Sequence, residues 1–155
     1  MKKTLSLLIT AFSILLFTGC SALIGEEVGR IPINQVSTDD NMVIKEISLD
    51  LKKDEEIAIW SDMDIEYKGN VSLRFRMEIL KNGENFGGLE IDPTDKNITI
   101  REVKTSLIDK TNWSFSGKNS EIKIEEDGNY TFKGILVASE NSTLQVNKAE
   151  IVFKK

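Results

Sequence analysis

The sequence predicts an all-β fold, an antiparallel β-sandwich of roughly eight or nine strands. From Met42 onward apolar and polar residues alternate, as in strands that have one face buried and the other in water. Turn-forming segments rich in Gly, Asn and Asp separate these runs at regular spacing. No segment has a convincing helical pattern, although the stretch from Arg101 to Lys110 is compatible with a single helical turn.

The alternation is clearest between Val71 and Ile79, where every odd position is apolar and every even position is polar. The dipeptide Asn82-Gly83 follows this run and is the strongest hairpin signal, because both residues accept the positive φ of a type I′ turn. Similar patterns predict the other strands, which include Ile47 to Leu51, Ile57 and Ile59, Ile98 and Ile100, Ile122 and Ile124, Tyr130 to Leu136, Leu144 and Val146, and Ile151 and Phe153.

The segment Asp127-Gly128-Asn129-Tyr130 resembles the turn that enters strand F of immunoglobulin-like sandwiches. In that family a tyrosine hydroxyl bonds to the backbone across the corner, so the resemblance implies this structural role for Tyr130. Similar Gly-x-Tyr turns occur in jelly-roll modules. The motif therefore supports a sandwich and leaves its topology open between immunoglobulin-like and jelly-roll.

The first residues have the composition of a targeting segment. Lys2 and Lys3 precede a run from Leu5 to Phe17 that is apolar except for isolated Ser and Thr. This run has the length of a signal-peptide core and is shorter than the roughly 20 residues of a membrane-spanning helix. We therefore expect secretion from the cytoplasm.

The end of this segment, Leu16-Phe17-Thr18-Gly19-Cys20, resembles the lipobox of bacterial lipoproteins, although Phe17 stands where Leu is usual. The resemblance implies cleavage before Cys20 and acyl chains such as palmitate on its thiol, which would tether the protein to a membrane of the bacterial cell envelope, the outer membrane in a Gram-negative cell. The alternative is a free or buried thiol after an ordinary secretory signal.

These features predict three regions. Residues 1–19 form a lipoprotein signal peptide, residues 20–41 comprise the lipidated cysteine and a spacer, and residues 42–155 form the sandwich. Gly25, Gly29 and Pro32 interrupt the proposed spacer. Ile31 and Ile33, together with Val36, could still add an edge strand to the domain.

Composition excludes several function classes. The chain of 155 residues has no His and one Cys, which excludes imidazole catalysis, histidine or cysteine metal sites and disulfides. Its 25 acidic residues outnumber its 20 basic ones, and loss of Lys2 and Lys3 with the signal peptide increases the acidic excess. Nucleic acid is therefore not an expected partner.

Two sets of residues are candidate sites. Asp62, Asp64 and Glu66 would share one face of a strand at roughly 7 Å spacing, which suits a calcium ion, although a solvated strand face is the commoner explanation. Trp60 lies on the face opposite to Ile57 and Ile59, where it could bind a sugar ring or a protein, or it could fold over the rim of the core. Phe86, beside a glycine pair, is either exposed or part of a bulge.

No nucleophile motif of the type GxSxG occurs, and no enzyme activity or organic cofactor is expected. We therefore expect a lipid-anchored binding module that recognises a glycan or an envelope protein. The alternative is a structural accessory or an inhibitor or immunity-type lipoprotein with one protein partner. A hydrolase that uses carboxylates alone is the least favoured possibility.

Overall fold

The computed structural model describes residues 24–155, which form two antiparallel sheets. The predicted signal peptide, residues 1–19, and Cys20 lie outside the described residues. In chain order the strands are β1 (Glu27–Pro32), β2 (Lys45–Leu51), β3 (Glu56–Lys68), β4 (Leu73–Lys81), β5 (Glu84–Ile91), β6 (Ile98–Leu107), β7 (Lys110–Lys123), β8 (Gly128–Ala138) and β9 (Gln145–Lys154). Among the described residues, no helix is both long and apolar enough to cross a membrane.

The predicted β-sandwich is confirmed. One sheet has five strands in the order β1-β9-β3-β7-β6, and the other has four in the order β2-β8-β4-β5. When β6 is left out, the other eight strands occupy the two sheets in the strand order of an eight-stranded jelly roll. Of the two topologies that the sequence left open, the strand order therefore matches the jelly roll. The strand β6 is an addition at the edge of the five-stranded sheet.

The interior consists of alternate side chains from both sheets. Phe132 of β8 and Phe153 of β9 belong to different sheets, and their ring centres lie 4.6 Å apart. Phe75 and Phe115 are also fully buried in this cluster. The alternation predicted from the sequence thus places the large apolar residues between the sheets, where they stabilise the fold by leaving water.

β-Bulges keep the correct side chains pointing inward along the two pairings of β3. Asn119 is an extra residue of β7 opposite β3, and Asn147 is an extra residue of β9 opposite β3. Each insertion reverses the alternation beyond it, so that Leu144 and Val146 pack on the same core as Ile151. The sequence predicted the residues near Val146 and those near Ile151 as separate strands, because the pattern changes phase between them.

The Asn119 bulge also anchors the loop that precedes β6. Its amide nitrogen donates to the backbone oxygens of Asp92, at 3.1 Å, and Asp95, at 2.7 Å. Its amide oxygen accepts a bond of 2.7 Å from the hydroxyl of Ser61, which is buried in β3. These bonds fix the point at which the chain enters β6.

Part of the predicted spacer, residues 20–41, belongs to the folded domain, which corrects the sequence analysis. β1 pairs with β9 as an edge strand, and Ile31 and Ile33 are fully buried. Gly29 lies in close packing, because a Cβ atom there would lie 2.6 Å from Cδ1 of Ile47, which would have to shift. Pro32 ends the strand at the sheet edge, where its missing N–H does no harm.

Two turn predictions are confirmed, and one prediction of local structure is wrong. Asn82 and Gly83 have φ values of 51° and 86°, as the hairpin between β4 and β5 requires. The Tyr130 hydroxyl donates a 2.9 Å hydrogen bond to the backbone oxygen of Glu126, as predicted for a corner residue. The segment from Arg101 is not a helical turn, since it continues β6 through Leu107.

The Tyr130 bond predicts a measurable stability. Tyr130→Phe should lower the free energy of unfolding in urea by about 1 kcal/mol, because the buried ring loses its hydrogen bond to the backbone oxygen of Glu126. The chain has one other tyrosine, Tyr67, whose hydroxyl bonds to none of the described residues. Tyr67→Phe is therefore the control, with an expected change within about 0.5 kcal/mol. Equal effects of the two substitutions would contradict the proposed role of Tyr130.

Candidate functional site

The outer face of the five-stranded sheet carries most of the predicted site residues. Along β3, residues 58, 60, 62, 64 and 66 alternate with buried residues of the core. Trp60 and all three predicted calcium ligands, Asp62, Asp64 and Glu66, therefore lie on this one face, as the sequence predicted. Phe86 is the exception, because it belongs to β5 in the other sheet.

Trp60 lies on the outer face and is nevertheless only 2% exposed. It pairs with Val152 of β9, and the ammonium group of Lys154 lies 4.3 Å from its ring centre. The indole is thus covered by a cation on the outside of the sheet, and it is neither an open platform nor part of the sandwich interior. Its Nε1 atom is buried without a hydrogen-bond partner among the described residues.

Two shallow cavities flank Lys154, and Trp60 lines both. The larger, of about 350 Å³, includes Arg30, Asp62 and Ile100 in its wall. The smaller, of about 240 Å³, is lined by Ile24 and Ile98 among other residues.

Paired charges fill the centre of the outer face. Asp62 accepts hydrogen bonds of 2.9 Å from Arg101 and 2.6 Å from Lys148, and its side chain is 13% exposed. Glu150, directly opposite Asp62 on β9, accepts from Arg30. A bidentate bond between Arg30 and Glu27 completes this charge cluster and holds the pKa of Glu27 below its ordinary value. Three cations and three carboxylates thus neutralise one another.

The predicted calcium ligands have protein partners in this arrangement. Asp62 belongs to the charge cluster, and Glu66 accepts a hydrogen bond from Lys110 that keeps the pKa of its carboxyl low. Asp64 accepts only a long bond of 3.4 Å, from Asn147. No group of three or more possible metal ligands occurs among residues 24–155. The calcium site stays a prediction, and cations already occupy two of its three carboxylates.

Phe86 lies at a β-bulge and is also exposed, so both alternatives for this residue apply together. It is the extra residue of β5 opposite β4, and about half of its side chain (53%) faces solvent. The rest of the ring contacts Tyr130 edge-on, with 5.7 Å between ring centres. No other predicted site residue lies near it on the four-stranded sheet.

The sequence analysis missed the most exposed apolar surface, which lies on β6 and the turn after it. We call this surface the β6 edge and define it by five exposed residues, Ile98, Ile100, Val103, Leu107 and Ile108. Within residues 24–155, β6 pairs with β7 on one side only, so its other side presents backbone N–H and C=O groups without a strand partner there. Every residue of β6 is exposed, and the register places Ile98 and Val103 on the outer face.

The turn from β6 to β7 holds an apolar residue in an unfavourable conformation. Ile108 has a φ of 46° and Asp109 a φ of 67°, and the side chain of Ile108 is 86% exposed. A β-branched residue in the left-handed region is strained, and Asn or Gly would fit this turn better. Neither packing nor turn geometry therefore explains an isoleucine at this position, which points to a role outside the fold.

Polar groups occupy the middle of β6. The Oε1 atom of Glu102 accepts hydrogen bonds of 3.0 Å from Lys96 and 2.8 Å from the Trp113 indole. These bonds, that of Lys96 first, lower the pKa of the Glu102 carboxyl. The ammonium group of Lys104 lies 3.9 Å from the Trp113 ring and forms no ion pair within the described part of the chain.

The arrangement is suited to binding another molecule at the β6 edge. Apolar side chains and open backbone groups lie together there, whereas the charge cluster satisfies its own members. Comparison with models of known protein families and with curated proteins finds no match for this chain.

The charge cluster predicts a contrast between two aspartates on the same face of β3. Asp62→Asn should lower the free energy of unfolding by about 1–3 kcal/mol, since three cations lose their shared carboxylate. Asp64→Asn is the matched control and should change it by less than about 0.5 kcal/mol. Urea denaturation measures both.

The same variants test calcium. If Asp62, Asp64 and Glu66 bind this ion together, added calcium should raise the thermal midpoint of the wild type and of neither variant. An equal loss of stability in the two variants without calcium would contradict the structural role given to Asp62.

Proposed function

We propose that this protein is a lipid-anchored module of the bacterial envelope that binds a protein partner through the β6 edge and has no catalytic role. The observation that carries the proposal is the concentration of exposed apolar residues on a strand with a free backbone edge. Such an edge is normally shortened, covered or interrupted, because it readily pairs with another chain. The strained and exposed Ile108 at its end supports the same surface.

A polypeptide fits this surface better than a membrane does. Unpaired N–H and C=O groups gain hydrogen bonds from a second strand, whereas lipid chains cannot supply them. The lipid on Cys20 would already provide attachment, so no part of the folded domain needs to insert. β1 begins at Glu27, which leaves only a short connection between Cys20 and the domain. The tether would hold the module close to the membrane and near partners anchored there.

A glycan ligand at Trp60 is a second candidate, supported by its unpartnered Nε1 atom and the adjacent cavities. A sugar could stack on the ring only after Lys154 moved aside, which makes this candidate weaker than the β6 edge. An inhibitor or a structural accessory would also bind one protein. These roles differ from that of a recognition module only in the activity of the protein that is bound. The partner's identity decides between these roles.

The tether is tested by Cys20→Ser. The wild-type protein should be recovered from the membrane fraction and partition into detergent, whereas the variant should be soluble. Mass spectrometry of the wild type should show acyl chains on Cys20 and a chain that begins at this residue. An unmodified thiol behind an intact leader would rule out the anchoring part of the proposal.

The binding surface is tested by Ile108→Asn. The substitution should raise the free energy of unfolding by about 1 kcal/mol, because Asn tolerates a positive φ. It should nevertheless weaken capture of the protein partner in pull-downs from envelope extracts with the full chain. A gain in stability combined with a loss of binding separates a binding role from a structural one.

Two further variants complete this test. Ile44→Asn makes the same change at an isoleucine that is 56% exposed, before β2 at the far edge of the other sheet, and should leave capture intact. Trp60→Phe removes the Nε1 donor and should abolish retention on glycans only if the second candidate is correct. Unchanged capture by Ile108→Asn would exclude the end of the β6 edge from the interface.

A further inference from the structure

We propose that the partner at the β6 edge is a second copy of this chain, paired antiparallel along β6 with Val103 on the two-fold axis. The inference rests on the proposed function, since it names the occupant of the same surface. The pairing would join two five-stranded sheets into one continuous sheet of ten strands. Three features of β6 carry the inference, namely its charge order, its unused polar groups and its apolar ends.

Symmetry restricts how two copies of β6 can pair. In an antiparallel pair of identical strands, the two-fold axis stands perpendicular to the sheet, so that one residue faces its own copy. A residue a given number of positions before this one then faces the residue of the other copy that lies the same number of positions after it. An axis at Arg101, Glu102 or Lys104 would place like charges directly opposite each other, which is unfavourable. An axis at Val103 places Glu102 opposite Lys104 of the second copy, and the reverse, with valine at the centre.

Both members of this charged pair have free bonding capacity. Lys96 and Trp113 bond to Oε1 of Glu102, so neither uses its Oε2 atom. The ammonium group of Lys104 lies over the Trp113 ring and forms no ion pair within residues 24–155, although its charge contributes to the low pKa of Glu102. The charge cluster on the outer face engages Arg101 through Asp62, which leaves Glu102 and Lys104 as the groups that set the register.

The apolar ends of β6 match in the same register. The axis at Val103 places Ile108 of one copy opposite Ile98 of the other, with Leu107 beside them and Ile100 at the β-bulge of β6. These residues are exposed in the single chain, and Leu107 and Ile108 are the most exposed of them at 72% and 86%. The pairing would cover apolar surface at both ends of the junction and would use the strained turn at Ile108 as a contact.

The proposed lipid tether is compatible with this geometry. β1, which follows the tether in the chain, and β6 are the opposite edge strands of the five-stranded sheet. In the joined sheet the two β1 strands therefore lie at the outer edges, away from the junction. A two-fold axis along the membrane normal allows both tethers to reach one membrane. Confinement to that membrane raises the effective concentration and favours pairing of weak partners.

Charge reversal tests the register. Two copies of the full chain with different C-terminal tags are expressed in one cell, extracted in mild detergent and isolated through one tag. Glu102→Lys places two pairs of lysines opposite each other, and Lys104→Glu places two pairs of glutamates. Each variant expressed alone should lose self-association by on the order of tenfold. Co-expression of one variant with the other should restore it, because every opposing pair then has opposite charges.

The restored pairing also shows that both variants fold. Glu46→Lys is the matched control, since it reverses a charge on β2, the far edge strand of the other sheet, and should leave self-association unchanged. A second measurement uses Val103→Cys, which should form an intermolecular disulfide on mild oxidation because the two residues face each other. The wild type, whose only cysteine is Cys20, should form none.

The possible results separate the inference from the proposed function. Single variants that self-associate like the wild type, or a mixture that fails to restore association, would overturn the proposed pairing. Failure of wild-type copies to co-isolate, while Ile108→Asn loses a different envelope protein, would overturn the second copy as partner and leave the proposed function standing. Absence of both self-association and any partner sensitive to Ile108→Asn would overturn both.

Discussion

The requirement that alternate side chains of both sheets reach one interior governs the whole structure. A strand presents its two faces in strict alternation, so a strand that loses phase exposes its apolar residues and buries its polar ones. Bulges at Asn119 and Asn147 correct the phase along β7 and β9, the two strands that flank β3. With the phase corrected, β3 buries Met63 and Ile65 and turns Trp60 and Asp62 outward. The charge cluster on the outer face is thus a consequence of how the core is filled.

The unequal strand numbers of the two sheets determine where the protein is open. In the described part of the chain, four strands cover four, and β6 remains without a facing strand; all ten of its residues are exposed. The Asn119 amide holds the loop before β6 by several hydrogen bonds, which indicates that the strand is fixed in place rather than loosely attached. Charged residues in the middle of an edge strand normally oppose indiscriminate pairing. Here their order favours an axis at Val103 over an axis at either neighbouring residue, so they also confer specificity.

The sequence predicted what local patterns determine and missed what depends on distant parts of the chain. Alternation gave the sandwich, and turn chemistry gave the hairpin at Asn82-Gly83 and the bonded hydroxyl of Tyr130. The shared face of Trp60 and Asp62 followed from spacing alone. The cations that surround them come from β1, β6 and β9, and only the folded topology brings these strands together. The sequence predicted a spacer where β1 lies, because Gly and Pro are typical of linkers. In the structure Gly29 lies in close packing and Pro32 ends an edge strand.

The distribution of satisfied and unsatisfied charges distinguishes the two surfaces of the five-stranded sheet. On the outer face Asp62 and Glu150 lie among three cations, and a charged ligand would have to break existing pairs before it gained new ones. On β6 the ammonium group of Lys104 has no carboxylate partner within residues 24–155. Both donors to Glu102 bond to its Oε1 atom, so neither of them uses its Oε2 atom. A partner at β6 therefore gains hydrogen bonds and ion pairs without first displacing others. Because the same strand also offers open backbone groups and apolar ends, recognition is favoured there over the more sheltered groove at Trp60.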